Sequence, residues 1–440
     1  MTNITKDQLI ELDKNYFLHP TSSIEQQQEA GPAIIFEKGE GIYLQDMDGK
    51  KYMEGMSSLW NVNIGYGRKE IAEVAKKQME KLSFSSTFST YSHQPVIKLA
   101  SKIAELAPGN LNTVFFTSGG SEANDSAIKL VRHYWNTKGE PNRKRIVARK
   151  RGYHGVSMGA TSATGISEFW NMTDLSPDFI HINPTSSNEF REVIQKEGAE
   201  TIAAFIAEPI IGAGGIILPP QNYFKEIREI CDEYGIIFIA DEVITGFGRT
   251  GKMFGLQNWN VVPDIMTVAK GISSGYVPLG GVVISDKIYK EIKYNTKGTL
   301  FHGFTYSGHP VSCAVALKNI EIMERESLVE NARLMGEKLT IEFEKIEASL
   351  DVLGDGRTMG LLAAIEIYKD ASTKERYETK MAPKVVLEAA KCGLICRSVI
   401  YDDADTIVLA PPLIINAEQI EKMVAILKQA VETVIINAKV

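Results

Sequence analysis

The sequence predicts an α/β protein: a mostly parallel sheet covered by helices, plus a smaller α/β unit built from the two chain ends. Three observations carry this. Short, continuously apolar runs recur through the middle of the chain, as at residues 114–117 (VFFT), 201–207 (TIAAFIA) and 236–240 (IIFIA). Segments of helical periodicity separate them, and strands apolar on both sides belong to parallel sheets buried on both faces. The chain has 440 residues, 44 % apolar and 23 % charged, which is ample for a large core and two or more domains.

The elements follow in order. The first 60 residues carry short strands of their own within 33–46 (AIIFEKGEGIYLQD) and are expected to pack with the C-terminal part. Strand 114–117 leads into a helix from Ser121 to about Trp135, and 145–149 (RIVAR) forms the next strand. A helix near 220–234 follows strand 201–207, with Phe224, Ile227, Cys231 and Tyr234 on one stripe at spacings of three and four. Strands at 236–240, 264–268 (DIMTV) and 281–284 (GVVI) complete the middle, and a helix near 310–326 closes it. The last helix repeats Ile420, Met423, Leu427, Val431 and Val434 at three and four, with Asn416 as its cap. The polar stretch 324–330 (ERESLVE) marks a boundary. The expected division is an N-terminal segment 1–60, a large domain 61–328 and a small domain 329–440.

Composition excludes several classes. Lys and Arg number 48 against 55 Asp and Glu, a net charge of −7, which disfavours nucleic acid as a partner. The four cysteines, at 231, 313, 392 and 396, form no CxxC pair and fit free thiols in a reducing cytoplasm. The N-terminus lacks a basic region followed by an apolar one, so no signal peptide is expected. No run reaches the ~18 apolar residues that span a bilayer, so no membrane association is expected.

One motif misleads. Residues 246–251 (GFGRTG) match G-x-G-x-x-G literally, and Lys252 brings them close to a P-loop. Both readings need a helix to open at the loop, whose free N–H groups hold phosphate. The sequence that follows, MFGLQNWNVVPD, has no helical stripe, and Met253 cannot supply a hydroxyl to magnesium. A turn-rich surface loop is expected instead.

Ligands of open α/β sheets bind beyond the carboxyl ends of the strands, and five features fall there. Residues 118–124 (SGGSEAN) follow VFFT; Gly119 and Gly120 admit a close anion, and Ser121 opens a helix whose N–H groups favour negative charge. Alone, this reads equally as a tight turn with a serine cap. Tyr153, in 153–155 (YHG), offers a stacking face or merely packs. Asp241 ends a buried strand and needs a cationic partner, with Val243 on the same side; a salt bridge or a metal would also serve, although no set of ligand spacing is present. Lys270, in 267–271 (TVAKG), can lose solvation and become a neutral amine, or remain a solvated lysine. Thr305, in 302–309 (HGFTYSGH), is a further phosphate hydroxyl or a turn threonine. Together these describe an anion seat, a stacking face, a carboxylate for a pyridinium and an amine for an aldehyde. One ligand meets all four: pyridoxal phosphate.

On these residues the sequence resembles the class III (omega-type) aminotransferases of the pyridoxal-phosphate fold type I group. The matching stretches are FFTSGGSEAND, RGYHG, AEPIIGAGG, IIFIADEVITGFGRTG, TVAKGISSG and HGFTYSGHP, in order between about 34 and 415. GFGRTG itself belongs to the family pattern. The resemblance implies that Lys270 is the Schiff-base lysine and proton shuttle, and that Asp241 keeps the ring nitrogen protonated. It implies that Tyr153 and Val243 sandwich the ring and that Gly119, Gly120 and Ser121 bind the phosphate. Relatives often have Ser at 119, so one hydroxyl is missing here. Thr305 resembles a threonine that reaches the phosphate of the partner subunit, which makes a homodimer part of the site. Glu208 resembles an active-site glutamate of less defined purpose.

The resemblance also narrows the substrate. Members acting on ornithine, acetylornithine or 4-aminobutyrate usually carry Arg after the F/Y-H-G motif, where this chain has Val156. Residues 58–67 (SLWNVNIGYG) are similar to omega-amino acid:pyruvate and taurine:pyruvate enzymes, which implies that Trp60 walls the substrate pocket. Arg397 stands where such enzymes have a mobile arginine for the carboxylate of pyruvate or alanine, and 398–405 (SVIYDDAD) is polar enough for a flexible loop. An arginine on a solvated loop is the plainer reading of that residue. The expected activity is ping-pong transfer of an amino group from an omega-amino acid or amine to a 2-oxo acid, with pyruvate as acceptor. The alternative within the class is 7,8-diaminopelargonate synthase (adenosylmethionine-8-amino-7-oxononanoate aminotransferase). A nicotinamide-dependent dehydrogenase rests on GFGRTG alone and is disfavoured.

Overall fold

The computed structural model describes residues 4–438. The outermost residues of the 1–60 and 329–440 segments, 1–3 and 439–440, lie outside the described residues. In chain order the strands are β1 Phe36–Glu40, β2 Tyr43–Asp46, β3 Lys51–Glu54, β4 Leu111–Thr117, β5 Arg145–Arg149, β6 Phe179–Ile182, β7 Ile202–Ala207 and β8 Ile237–Asp241. They continue with β9 Ile265–Val268, β10 Gly280–Ser285, β11 Leu353–Met359, β12 Leu362–Ile367, β13 Leu394–Ile395, β14 Arg397–Val399 and β15 Thr406–Leu409.

Seven strands form the central sheet in the order β4-β10-β9-β8-β7-β5-β6. Only β10 runs against its neighbours, β4 and β9; the pairs β9-β8, β8-β7, β7-β5 and β5-β6 are parallel. The predicted apolar runs become these strands because both sides of each are covered. Ile146, Ala204, Ile206, Ile237 and Ile239 meet Ala123, Ala127, Val131 and Tyr134 of the helix Gly120–Thr137 on one face. Their alternates Val147, Phe205, Phe238 and Ala240 meet Phe190, Ile194, Phe224 and Ile227 on the other. The switch of face at every residue is the two-residue period of a strand. Strand β6 is missing from the sequence prediction; it has four residues, lies at the sheet edge, and His181 interrupts its apolar run.

Two smaller sheets flank this one. The first has the order β1-β2-β3-β13, with β13 parallel to β3, so it draws on both chain ends. The second is β11-β12-β15-β14. In the polar stretch 324–330 the helix Pro310–Arg325 stops and the helix Leu328–Ser349 begins, with Ser327 between them at φ +53°. Asn416 caps the last helix, Ala417–Ala438, as expected: its Oδ1 accepts from Gln419 N–H at 2.9 Å, and Gln419 Oε1 accepts from Asn416 N–H at 3.0 Å. Ile420, Met423, Leu427 and Val431 are buried along that helix.

The structure corrects one expectation. Residues 246–251 are a buried loop, not a surface one. The Arg249 guanidinium is 0 % exposed and donates to the carbonyls of Leu361 and Pro411 and to Ser57 Oγ and Asn63 Oδ1. It thereby ties the loop after β8 to segments from both chain ends, and this is why the loop is covered. Among the described residues no helix is long and apolar enough to cross a membrane.

Candidate active site

The carboxyl ends of β5, β7, β8 and β9 and the start of the helix Gly120–Thr137 open onto one cavity of about 600 Å³. Gly120, Ser121, Tyr153, Glu208, Asp241, Val243 and Lys270 line it, with Trp60 and Arg397 from the chain ends. Two predicted residues do not. Gly119 lies just before the helix, and Thr305 is exposed, outside the cavity of its own chain. The lining also includes Pro20 and Thr21, from the connection between two N-terminal helices, and Phe169.

The anion seat is shaped by close backbone approach. Gly119 is extended (φ −174°) and no side chain caps the helix there, so the first N–H groups of the helix stay free. Ser121 Oγ accepts from Val156 N–H at 3.2 Å, and its carbonyl accepts from Ser157 Oγ–H at 3.2 Å. These bonds dock the loop after β5 against the helix. Gly155, at φ +126°, is required at the contact, because a Cβ there would collide with Ser121 Oγ. Gly120 is tight as well: a Cβ would lie 3.0 Å from Val243 Cγ1. Val156 itself is 61 % exposed and absent from the lining, so the reading of substrate from that position gains no support from this chain alone.

Asp241 is 3 % exposed and its oxygens are used unequally. Oδ2 accepts from Asn124 Nδ2–H at 2.7 Å and from His154 Nδ1–H at 2.8 Å, while among the described residues Oδ1 accepts only from Val243 N–H, at 3.1 Å. The ring tautomer at His154 follows from its partner, since a carboxylate can only accept. Sequence reasoning anticipated a partner for Asp241 but not these two; both lie inside motifs it singled out, SGGSEAN and YHG.

Lys270 follows β9 at φ +49°, a left-handed conformation costing about 1–3 kcal/mol in a residue with a side chain. Asn319 holds the turn by donating from Nδ2 to the carbonyls of Gly271 and Ile272, each at 2.9 Å. Lys270 is partly open to the cavity, yet its amine lies deep beneath the protein surface. Burial therefore lowers its pKa from 10.5 to about 8, with the Arg397 charge acting the same way and Asp241 and Glu208 opposing. Glu208 accepts from Tyr153 N–H and Gly212 N–H, both at 2.9 Å, and burial raises its carboxyl pKa.

Two cations lie against the Trp60 ring. Lys270 Nζ lies 5.5 Å and Arg397 Cζ 5.0 Å from its ring centre. Arg397 makes no ion pair within 4 Å among the described residues. Here the structure also amends the expected loop: Arg397–Val399 is strand β14, paired with β15, so the irregular part is confined to 400–405.

These groups fit pyridoxal phosphate. A free helix end with open space at Gly119 suits a phosphate, and Asp241 Oδ1 suits a ring N–H. Tyr153 and Val243 offer two faces, and Lys270 supplies an amine of lowered pKa.

Comparison with known proteins agrees. The family model Aminotransferase class-III matches residues 24–431. A putrescine–pyruvate aminotransferase of Pseudomonas aeruginosa is 40 % identical, over 98 % of this chain and 97 % of that protein. A solved transaminase from the marine bacterium Virgibacillus is 54 % identical and superposes with a TM-score of 0.96, over 97 % of this chain and 98 % of that one. The omega transaminase of Pseudomonas jessenii, solved in complex with PMP, is 39 % identical with a TM-score of 0.93, over 97 % and 98 % of the two chains. The chain belongs to the class III aminotransferases and is a pyridoxal-phosphate-dependent transaminase of fold type I.

Proposed function

We propose that this enzyme transfers the amino group of an omega-amino acid or amine to pyruvate, in two half-reactions at one site. The observation that supports the acceptor is Arg397, a cavity-lining guanidinium with no carboxylate partner among the described residues, which shares the Trp60 ring with Lys270. Its planar fork suits the carboxylate of a 2-oxo acid. The name of the Pseudomonas aeruginosa relative points to the same acceptor.

Bound pyridoxal phosphate supplies an aldehyde that captures amines and a ring that withdraws electrons from the captured carbon. The rest falls to this chain's residues. Lys270 Nζ, neutral in an appreciable fraction near pH 8, would move the proton between the substrate carbon and the cofactor carbon, in one direction for the donor and in the reverse direction for the acceptor. Asp241 Oδ1 keeps a proton on the ring nitrogen. Tyr153 and Val243 hold the ring faces, and Gly119, Gly120 and Ser121 hold the phosphate through the helix end. Glu208 positions the Tyr153 and Gly212 backbones. Trp60 walls the donor pocket.

We further propose a homodimer in which Thr305 reaches the cofactor phosphate of the partner subunit. Thr305 is exposed and is followed by Tyr306, 58 % exposed; Phe301 nearby is 94 % exposed, so the segment presents apolar surface for burial. The free cysteines fit a cytoplasmic setting.

A donor panel tests the reading: beta-alanine, taurine, putrescine, a carboxylate-free arylalkylamine and S-adenosylmethionine, each with pyruvate and with 2-oxoglutarate. Alanine formation from a terminal amine supports it. Turnover only with S-adenosylmethionine, or only with 2-oxoglutarate, contradicts it.

A further inference from the structure

Asn124, in SGGSEAN, joins its own motif to three others read from the sequence, those of His154, Asp241 and Thr267. It lies on the helix Gly120–Thr137 one turn beyond Ser121, so the element that presents the anion seat also carries it. It is 1 % exposed, and its amide has a single allowed orientation. Nδ2 donates to Asp241 Oδ2 and to the His154 carbonyl, both at 2.7 Å, and Oδ1 accepts from Thr267 Oγ1–H at 2.8 Å. Flipping the amide would set its oxygen against two acceptors and its N–H₂ against the hydroxyl. Thr267 stands opposite Asp241 in the β8-β9 register and three residues before Lys270.

We infer that Asn124, oriented by Thr267, is the positioning residue that fixes the Asp241 carboxylate, so that Oδ1, which takes one hydrogen bond from Val243 N–H, keeps a second lone pair for the cofactor ring. This rests on the proposed contact of Asp241 with that ring. The two donors on Oδ2 stop rotation of the carboxylate. The titratable groups facing this position are His154, Lys270, Glu208, Tyr153 and Arg397.

The test uses holoenzyme and three variants: Thr267→Val, which keeps shape and removes the hydroxyl; Thr267→Ser, which restores it; and Asn124→Leu. Two quantities are read: the pH midpoint of the cofactor's visible absorption band, and kcat against KM for both substrates. A less firmly held Asp241 Oδ1 makes a poorer hydrogen bond to the ring N–H, which leaves less positive charge on the ring, so the proton that sets the band's midpoint is held more tightly. The midpoint should rise by about one unit in Thr267→Val. Its kcat should fall about fivefold, the loss expected for one neutral hydrogen bond, with KM values little changed. Thr267→Ser should resemble the wild type. If Asn124→Leu does not fold, Thr267→Val decides alone. An unmoved midpoint and unchanged kcat in a fully loaded Thr267→Val enzyme would overturn the inference. Absence of any pH-dependent visible band in the wild type would instead overturn the proposed site, and this inference with it.

Discussion

Lys270 Nζ lies 5.5 Å from the centre of the Trp60 ring, in a pocket where burial holds its pKa at about 8. Stability of the apoprotein must follow. Below pH 8 the amine is charged both folded and unfolded, and the folded state bears the full cost of burying that charge. Between pH 8 and the unfolded value of 10.5 the unfolded chain binds more protons, so stability rises with pH through this window. Lys270→Met removes the cost. Urea unfolding of the apoproteins should show the variant more stable by about 3 kcal/mol at pH 7, with the gap closing as pH approaches 10.5. A variant no more stable at pH 7 would show that the amine is not desolvated.

Gly119→Ser should tighten cofactor binding. The backbone there is extended, and a Cβ meets nothing within 4 Å, so the side chain enters without strain. A hydroxyl added at the free helix end gives the phosphate one more charge-assisted hydrogen bond, about tenfold in affinity. Equilibrium dialysis with pyridoxal phosphate measures it; equal or weaker binding counts against a phosphate at this helix end.

Gly155→Ala should do the reverse. At φ +126° the added methyl is strained, and it strikes Ser121, whose Oγ holds the Val156 N–H. The penalty of about 1–3 kcal/mol falls on the anion seat, so cofactor affinity drops about tenfold or more while the remote core is untouched. Retention of full affinity would place the phosphate elsewhere.

Arg397→Ala should raise KM for pyruvate about a hundredfold, as expected on losing a forked pair of charged hydrogen bonds. KM for an amine without a carboxylate should change little. Arg397→Lys should recover only part of the loss, because an ammonium cannot reproduce the fork. Equal effects on both substrates would mean that the residue shapes the pocket rather than binding the acid.

The residues legible from the strand pattern itself share one property: each lies at or just past the end of a continuous apolar run. Asp241 ends β8, Lys270 follows β9, Glu208 follows β7, and Ser121 comes four residues after β4. Strand ends are local features, and in this fold they converge. Asn124 and Thr267 were illegible because their bonds join positions 117 and 143 residues apart, which no local pattern encodes. Arg249 failed for a related reason. A glycine-rich stretch correctly suggests turns, but its burial depends on carbonyls at Leu361 and Pro411, more than 100 residues away. Edge strand β6 was lost to His181, a polar residue at a half-buried position.

The most direct test of the central claim is peptide mapping of the purified holoenzyme after borohydride reduction. Reduction makes the link between protein and cofactor permanent, so the modified lysine can be read by mass spectrometry. The phosphopyridoxyl group should be found on the peptide containing Lys270 and on no other. Its appearance on a different lysine, or on none, would contradict the account.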